Sequence, residues 1–481
     1  MMKIEAKVVN NYLLNLLYQL FTLFTPLITV PYLSRILGAE NLGIYSFTLA
    51  IATYFMVFGS LGFPIYGQRE IAFTAKKIEQ RSQIFCEICT LQFLLVSGSS
   101  ILYFLFVCSF VDSSKAIFFA QTIAIFSHAI EFGWFFNGIE NFKVTVLRNV
   151  LFKSISIVCI FIFVNSEKDL LIYTLIMGLG NLLSNLCLFI DLKKHVNFCR
   201  PSLVKSLYKH FKNAFLLGIP LCLTTLYSVL DKSILVYFNV GFSEIGFYDL
   251  SQKIILVVIA ITTALPTVLL PRFSYLALNN RTKDLKELLN EGLQLLCFLA
   301  LPLVGGLFIV GDMITPWFFG SGYEKTGRLI QIGAPLVFLV STANLLGTQY
   351  LVAIKKERVL IYFVLTALII NLIVNVVLIK IFGVSGAVFS AMLSESIKVI
   401  LLLIYLKNDI VLTNVLPSFI NYASLSASLT VLFVSIKNVT HLPYTLTTTF
   451  MLVVTAIGTY LFCLKLMKDP ILTALINIRH Q

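Results

Sequence analysis

Fourteen windows of about 20 mostly apolar residues, each long enough to cross a bilayer as one helix, follow one another along this chain. They lie near 10–34, 42–67, 84–107, 116–138, 144–165, 170–191, 213–238, 247–271, 292–315, 328–354, 359–380, 387–406, 415–435 and 445–464. Few charges interrupt them. Of the 481 residues, 58% are hydrophobic and 12% charged, with a mean hydropathy of +0.92, whereas a soluble domain carries about 25% charge. A chain with so little polar surface needs lipid as its solvent. The expected fold is an all-α integral membrane protein with 14 transmembrane helices. The opening MMKIEAKVVNNYLLNLLYQLFTLFTPLITV has a basic flank but no A-x-A-like cleavage site. Its apolar run is longer than a signal-peptide core, so it reads as a retained first helix. No connection is long enough for a soluble domain; the longest is 192–212.

An even number of spans puts both termini on one side, and the basic residues choose the side. Of 36 Lys and Arg, 25 fall on the terminus side, seven in the opposite loops, and four (Lys153, Lys232, Lys253, Lys398) inside helices. By the positive-inside rule both termini are cytoplasmic. The net charge of +13 is dispersed over short segments, which suits translocation and anionic membrane lipids and argues against a nucleic-acid partner. The nine cysteines mostly sit in apolar runs as small hydrophobes. Cys86 and Cys89 form a lone C-x-x-C, and a zinc site needs four ligands, so neither a metal nor another cofactor is expected.

A short repeat organises the chain. LGAENLGIYS (37–46) returns as VGFSEIGFYD (240–249), 203 positions later. Gly38/Gly241, Gly43/Gly246 and Tyr45/Tyr248 are identical, and both copies fall in opposite-side loops six spans apart. That is the pattern of a parallel internal duplication. The glycines suit positive φ or a close backbone approach, and the tyrosines suit the headgroup level. FGVSGAVFS (382–390) is a weaker echo. On this basis helices 1–6 (1–191) and helices 7–12 (213–406) are two six-helix lobes, joined by the basic linker 192–212. Residues 407–481 add helices 13–14 and a cytoplasmic tail. The alternative is convergence between outer hairpins.

The stretches LITVPYLSRILGAENLGIYSFTLAI (27–51), FGSLGFPIYGQREIA (58–72) and FGWFFNGIENFKVTVLRNVL (132–151) resemble the polysaccharide-transport branch of the multidrug/oligosaccharidyl-lipid/polysaccharide exporter superfamily. Its best-known members are the Wzx-type flippases of O-antigen and capsule repeat units, in lipopolysaccharide and capsular polysaccharide biosynthesis. The resemblance implies two lobes around a central cavity and alternating access in the bacterial plasma membrane. It also implies a cargo of undecaprenyl-diphosphate-linked glycan, with a polysaccharide polymerase and a chain-length regulator as partners.

An anionic diphosphate calls for cations at membrane depth, where a charge costs about 2.5–3.5 kcal/mol by insertion scales and is a functional candidate by default. Lys232 and Lys253 flank the second repeat loop at similar depths, about 9 Å in, and could hold the diphosphate. The competing reading pairs Asp231 with Lys253 while Lys232 snorkels outward. Glu395 and Lys398 share a helical face, as a gating pair or a self-neutralising one. His128 and Glu131 stand in the same i,i+3 relation in helix 4, and a histidine beside a carboxylate can take up a proton near neutral pH. Arg35 ends helix 1; the family's use of basic residues there implies cargo contact, and an interface anchor is the alternative. Arg69 closes helix 2, either to meet the headgroup or as ordinary positive-inside charge.

Seven prolines (Pro26, Pro31, Pro220, Pro266, Pro271, Pro302, Pro335) fall inside spans, where they kink helices. Two other functions compete. A membrane-embedded polymerase or ligase would carry catalytic groups on a sizeable outer loop, and neither H-E-x-x-H, G-x-S-x-G nor a P-loop occurs. A drug or cation antiporter would want cavity acids, whereas here four lysines accompany Glu131, Asp231, Asp249 and Glu395 within spans. Without a nucleotide-binding segment, the driving force is an ion gradient (proton or sodium), the membrane potential or downstream use of the cargo.

Overall fold

The computed structural model describes residues 6–74, 77–199 and 204–478, and every regular element among them is helical. The chain forms two compact units, Met1–Tyr237 with Gly241–Gly246, and Phe238–Val240 with Phe247–Gln481.

Unit 1 contains α1 (Ala6–Ser60), α2 (Phe63–Thr74), α3 (Ile78–Phe110), α4 (Lys115–Ser127), α5 (Gly133–Gly138), α6 (Phe142–Phe163), α7 (Leu170–Leu192), α8 (Val204–Tyr237) and the first turn of α9 (Phe242–Leu278). Unit 2 contains the rest of α9, then α10 (Thr282–Phe318), α11 (Glu324–Gly333), α12 (Leu336–Ala343), a π-helical stretch (Asn344–Leu351), α13 (Glu357–Phe382), α14 (Val384–Tyr405), α15 (Leu412–Thr440), α16 (Leu446–Leu466) and α17 (Pro470–Ile478). Eleven helices are long and apolar enough to cross a bilayer, or thirteen spans if each of two bent pairs is one. The expected count of 14 differs because the first two windows lie in one continuous element, α1.

The reason is local. α1 breaks direction only at Gly38 (φ 75, ψ 169), a conformation an L-residue rarely adopts, and helix resumes at once. In the second copy the left-handed residue is Asn239 (φ 55), not Gly241; asparagine tolerates that region. The other repeated glycines serve a close approach. A Cβ on Gly43 would overlap the carbonyl oxygen of Phe242, and one on Gly246 would overlap that of Ala39, so the two repeat copies pack backbone to backbone within unit 1. A second such contact joins Gly62 to Ala214 and Gly218. Small residues allow this approach in membranes. Tyr45 and Tyr248 are buried, Tyr45 with its ring 4.6 Å from that of Tyr173, and so pack against protein rather than lipid or water.

Four expected helices are interrupted or bent, the window 213–238 among them by 52°. The window 42–67 stops at Ser60 and restarts at Phe63, with Leu61 at φ 42. The window 116–138 ends as α-helix at Ser127, passes through a 3₁₀ turn (His128–Ile130) and leaves Glu131 extended. The window 328–354 bends by 43° between Gly333 and Leu336 and then becomes π-helical. Prolines mark two bends: one of 52° between Ile219 and Leu221, and the one at Pro335.

Outward faces are apolar, as lipid requires: Leu102, Ile162, Ile373 and Val431 are all exposed. Inside unit 1 an aromatic core of Phe63, Phe85, Phe132, Trp134, Phe135 and Phe136 sits toward the end rich in Lys and Arg. In unit 2 the last helices dock on α10. Lys437 on α15 is buried and holds both carboxylate oxygens of Asp312 at 2.9 Å. Trp317 Nε1 donates to Thr449 at 3.0 Å, and Tyr460 donates to the Phe298 carbonyl at 3.0 Å.

Candidate functional site

Each charge within a span needs a partner, water or a function, so the surroundings of each sort the candidates. Within unit 2, Lys253 pairs with Asp249 at 2.8 Å, one turn earlier on α9. Lys398 likewise pairs with Glu395 at 2.6 Å on α14. The second pair was legible from its spacing; the i,i+4 relation of Asp249 to Lys253 was legible too but was passed over. Beside Glu395 runs a buried polar seam, in which Asn371 donates to Ser390 at 3.2 Å and Ser390 donates to the Asn371 carbonyl at 3.1 Å. Asn375 and Ser394 complete it. Such hydrogen bonds hold two helices together where no water competes.

Unit 1 is arranged differently. Asp231 is buried and Lys232 half-buried on α8, and the next residue, Ser233, hydrogen-bonds Tyr54 of α1 at 2.8 Å. Arg35 is exposed on α1, three residues before the Gly38 break. Arg69 lies over the Tyr66 ring, 5.7 Å from its centre, and contacts Glu70 at 3.3 Å.

His128 and Glu131 are not on one helical face. The helix ends between them, and the Glu131 carboxylate accepts from the Gly133 backbone N–H at 2.9 Å. Buried Gln92 of α3 stabilises the break: its amide donates to the His128 and Glu131 carbonyls at 2.7 and 3.0 Å and accepts from Trp134 Nε1 at 3.0 Å. The charged neighbour of Glu131 is Arg148.

Two further cations stand on α6. Arg148 was counted as a loop charge but is buried on α6, donating to Asn185 at 2.9 Å, the Ser184 carbonyl at 3.2 Å and Asn149 at 2.8 Å. Asn185 in turn donates to the Ser127 carbonyl at 2.8 Å, so this arginine ties α4, α6 and α7 together. Lys153, five residues on, is half-buried and has neither an ionic nor a hydrogen-bonding partner among the described residues. Its position inside a span was legible; that it lacks a nearby acid, unlike Lys253 and Lys398, required the packing of α6. A buried ammonium without a counter-ion is costly, and it is chemically suited to an anion that arrives from outside the protein.

The comparisons with known proteins concern the whole chain. The family model described as "Polysaccharide biosynthesis protein" matches residues 8–277, more than half of the sequence. A protein of Escherichia coli (strain K12) named "Putative O-antigen transporter" is 24% identical over 396 residues, covering 80% of this chain and 93% of its own. Among solved structures, lipid II flippase MurJ in an inward closed conformation superposes with a TM-score of 0.76 at 15% identity, over 96% of this chain and 100% of that one. An inward-facing multidrug transporter of the MATE family, in the MOP superfamily, superposes with a TM-score of 0.64 at 12% identity, over 80% and 94% of the two chains. At these identities the structural likeness is one of fold.

Proposed function

The chain belongs to the polysaccharide biosynthesis protein family, and on that premise we propose that it is a flippase for lipid-linked glycans. The cargo class is an undecaprenyl-diphosphate-linked oligosaccharide repeat unit of O-antigen or capsule type, moved from the inner to the outer leaflet of the bacterial plasma membrane. The observation that carries this reading, beside the family, is the half-buried, uncompensated Lys153 within a membrane-spanning helix. A diphosphate supplies the missing counter-charge, while the prenyl chain stays in hydrocarbon. The E. coli protein named "Putative O-antigen transporter", similar over 80% of this chain, supports the same cargo class.

In this reading α1 provides two spans. Its 55 residues would measure roughly 80 Å if straight, nearly three hydrocarbon thicknesses, and the break at Gly38 divides them at the charge-poor face. Counting two spans there brings the total to 14, with both termini cytoplasmic by the distribution of Lys and Arg. The repeat at 37–46 and 240–249 supports two lobes of common descent that work by alternating access. A polymerase and a chain-length regulator are the expected downstream partners.

Reconstitution in vesicles with a fluorescent lipid-linked sugar tests this. Wild-type protein flips the lipid, and Lys153→Ala lowers the rate about tenfold or more, the scale of one lost charge-assisted hydrogen bond. Lys153→Arg retains most of it. A wild-type rate in Lys153→Ala removes the assigned site. Movement of organic cations without lipid-sugar movement replaces the flippase by a multidrug antiporter.

A further inference from the structure

The C-x-x-C of α3 plays no part in the reading above, and its first cysteine has a nearer partner than its second. Cys86 and Cys89 stand three positions apart inside a helix, which sets their β-carbons about 5–6 Å apart, whereas a disulfide holds them at about 3.5–4.5 Å. Those two cannot join without unwinding α3. Cys199 comes from 113 positions further along the chain, and its backbone N–H donates to the Cys86 sulfur at 3.3 Å. The two thiol groups also act on one another directly.

This approach is built by the segment 193–199, which follows α7 and lies along the first turns of α3. Arg81 donates to the His195 carbonyl at 2.6 Å, and the Asn197 backbone N–H donates to the Ser82 hydroxyl at 3.1 Å. Val196 is buried in the aromatic core, and the Phe198 ring stands 6.4 Å from that of Phe85. The Cys199 thiol donates to the Gln83 side-chain oxygen at 3.3 Å, and the Gln83 amide donates to Glu87 at 2.8 Å. Glu87 lies 2.8 Å from His210 of α8, whose other ring nitrogen lies 2.7 Å from the Tyr66 hydroxyl of α2. Segment, α3, α8 and α2 are thus joined in one place. Within it Cys86 is buried and Cys199 exposed.

We propose that Cys86 and Cys199 are a redox-modification site, oxidised by a peroxide to a reversible disulfide that staples the segment after α7 to α3. The exposed cysteine meets the oxidant and the buried one resolves it, the usual division of labour in such pairs. The Cys199 thiolate attacks one peroxide oxygen; an S–O bond forms, the O–O bond breaks, and the other oxygen leaves as water, giving a sulfenic acid. The Cys86 sulfur then attacks the Cys199 sulfur; an S–S bond forms, the S–O bond breaks, and the oxygen leaves as a second water with the Cys86 proton. Two thiols and one peroxide become one disulfide and two waters, so two electrons pass from sulfur to oxygen. At this Lys- and Arg-rich end, read above as cytoplasmic, thiols are normally kept reduced. The bond therefore forms when peroxide rises and is undone by exchange with a dithiol. It goes beyond the flippase reading, and it is measured without cargo, so either can fail alone.

The full chain in lipid nanodiscs is treated with hydrogen peroxide, its remaining thiols are blocked with N-ethylmaleimide, and its peptides are weighed. The expected product is a Cys86 peptide joined to a Cys199 peptide, lighter by two hydrogen atoms than their sum and separated again by dithiothreitol. Cys199→Ser loses the linked product, and Cys89→Ser keeps it. Hydrogen–deuterium exchange at 193–199 slows on oxidation in the wild type and not in Cys199→Ser. If Cys199→Ser does not fold, Cys86→Ala serves, and it too loses the linked product. A link between Cys86 and Cys89, a link between two chains, or a Cys199 sulfinic acid beside a blocked Cys86 overturns the proposal, as does blocking of both thiols after peroxide.

Discussion

The segment from Gly38 to the turn after α1 is pinned in two places, and the pins are built differently. At the charge-poor end Gly43 meets Phe242 and Gly246, with the Phe47 and Phe242 rings 6.0 Å apart. The nearby acids are not buried: Glu40 is exposed and Glu244 half-buried. About 28 Å further on, in the turn between α1 and α2, Gly62 meets Ala214 and Gly218, and there a buried carboxylate, imidazole and phenol are added. The first contact sets backbone against backbone with an aromatic pair beside it. Shape and charge together close the second. The two glycine contacts therefore differ in the buried polar groups that accompany them.

Valine substitutions test that difference most severely. Gly43→Val and Gly62→Val each drive side-chain carbon into backbone that cannot swing aside. Overpacking of this kind costs about 1–3 kcal/mol, enough to open the contact by about tenfold or more. Hydrogen exchange is expected to rise in 39–47 and 242–246 for Gly43→Val, and in 207–219 for Gly62→Val, each leaving the other end as it was. Equal loosening of both ends by either variant would break the comparison, since the two contacts would then form one rigid unit.

A comparable or smaller effect is expected from His210→Ala, which takes one buried hydrogen-bond partner from the Glu87 carboxylate and costs about 1–3 kcal/mol. The melting temperature in nanodiscs falls, and Glu87→Leu in the same chain restores part of it. An unchanged melting temperature would mean the carboxylate has other support. Least affected is Tyr66→Phe, which removes one hydrogen bond worth about 1 kcal/mol. Its exchange rises in 207–219 but not in 39–47; a rise at both would show that the ends communicate.

The sequence foretold the membrane helices because apolar runs of span length have one economical solution in lipid. It foretold the importance of the repeat as well, though for partly different reasons. Gly43 and Gly246 do serve a close approach, but against each other's copy, and the tyrosines turned inward. What stayed hidden depends on contacts distant in the chain. The helix expected through His128 and Glu131 ends early because Gln92 takes up its carbonyls from 36 and 39 residues away, a partner no local pattern reveals. His210 and Glu87 are 123 residues apart, and His210 lay in a stretch read as linker. Arg148 and Lys437 were counted as loop charges because they stand at window edges; the structure buries both. Spacing within one helix, as for Glu395 and Lys398, is the part of a polar site that a linear pattern can disclose.

The break at Gly38 has a mechanical corollary. Helix runs up to it and away from it with no slack loop between, so the two arms of α1 form a crank with a single bearing. A tilt of the arm before the bearing passes to the arm after it through two dihedral angles of one residue. Any residue with a β-carbon would stiffen that joint, and the arms would then have to swing as one piece.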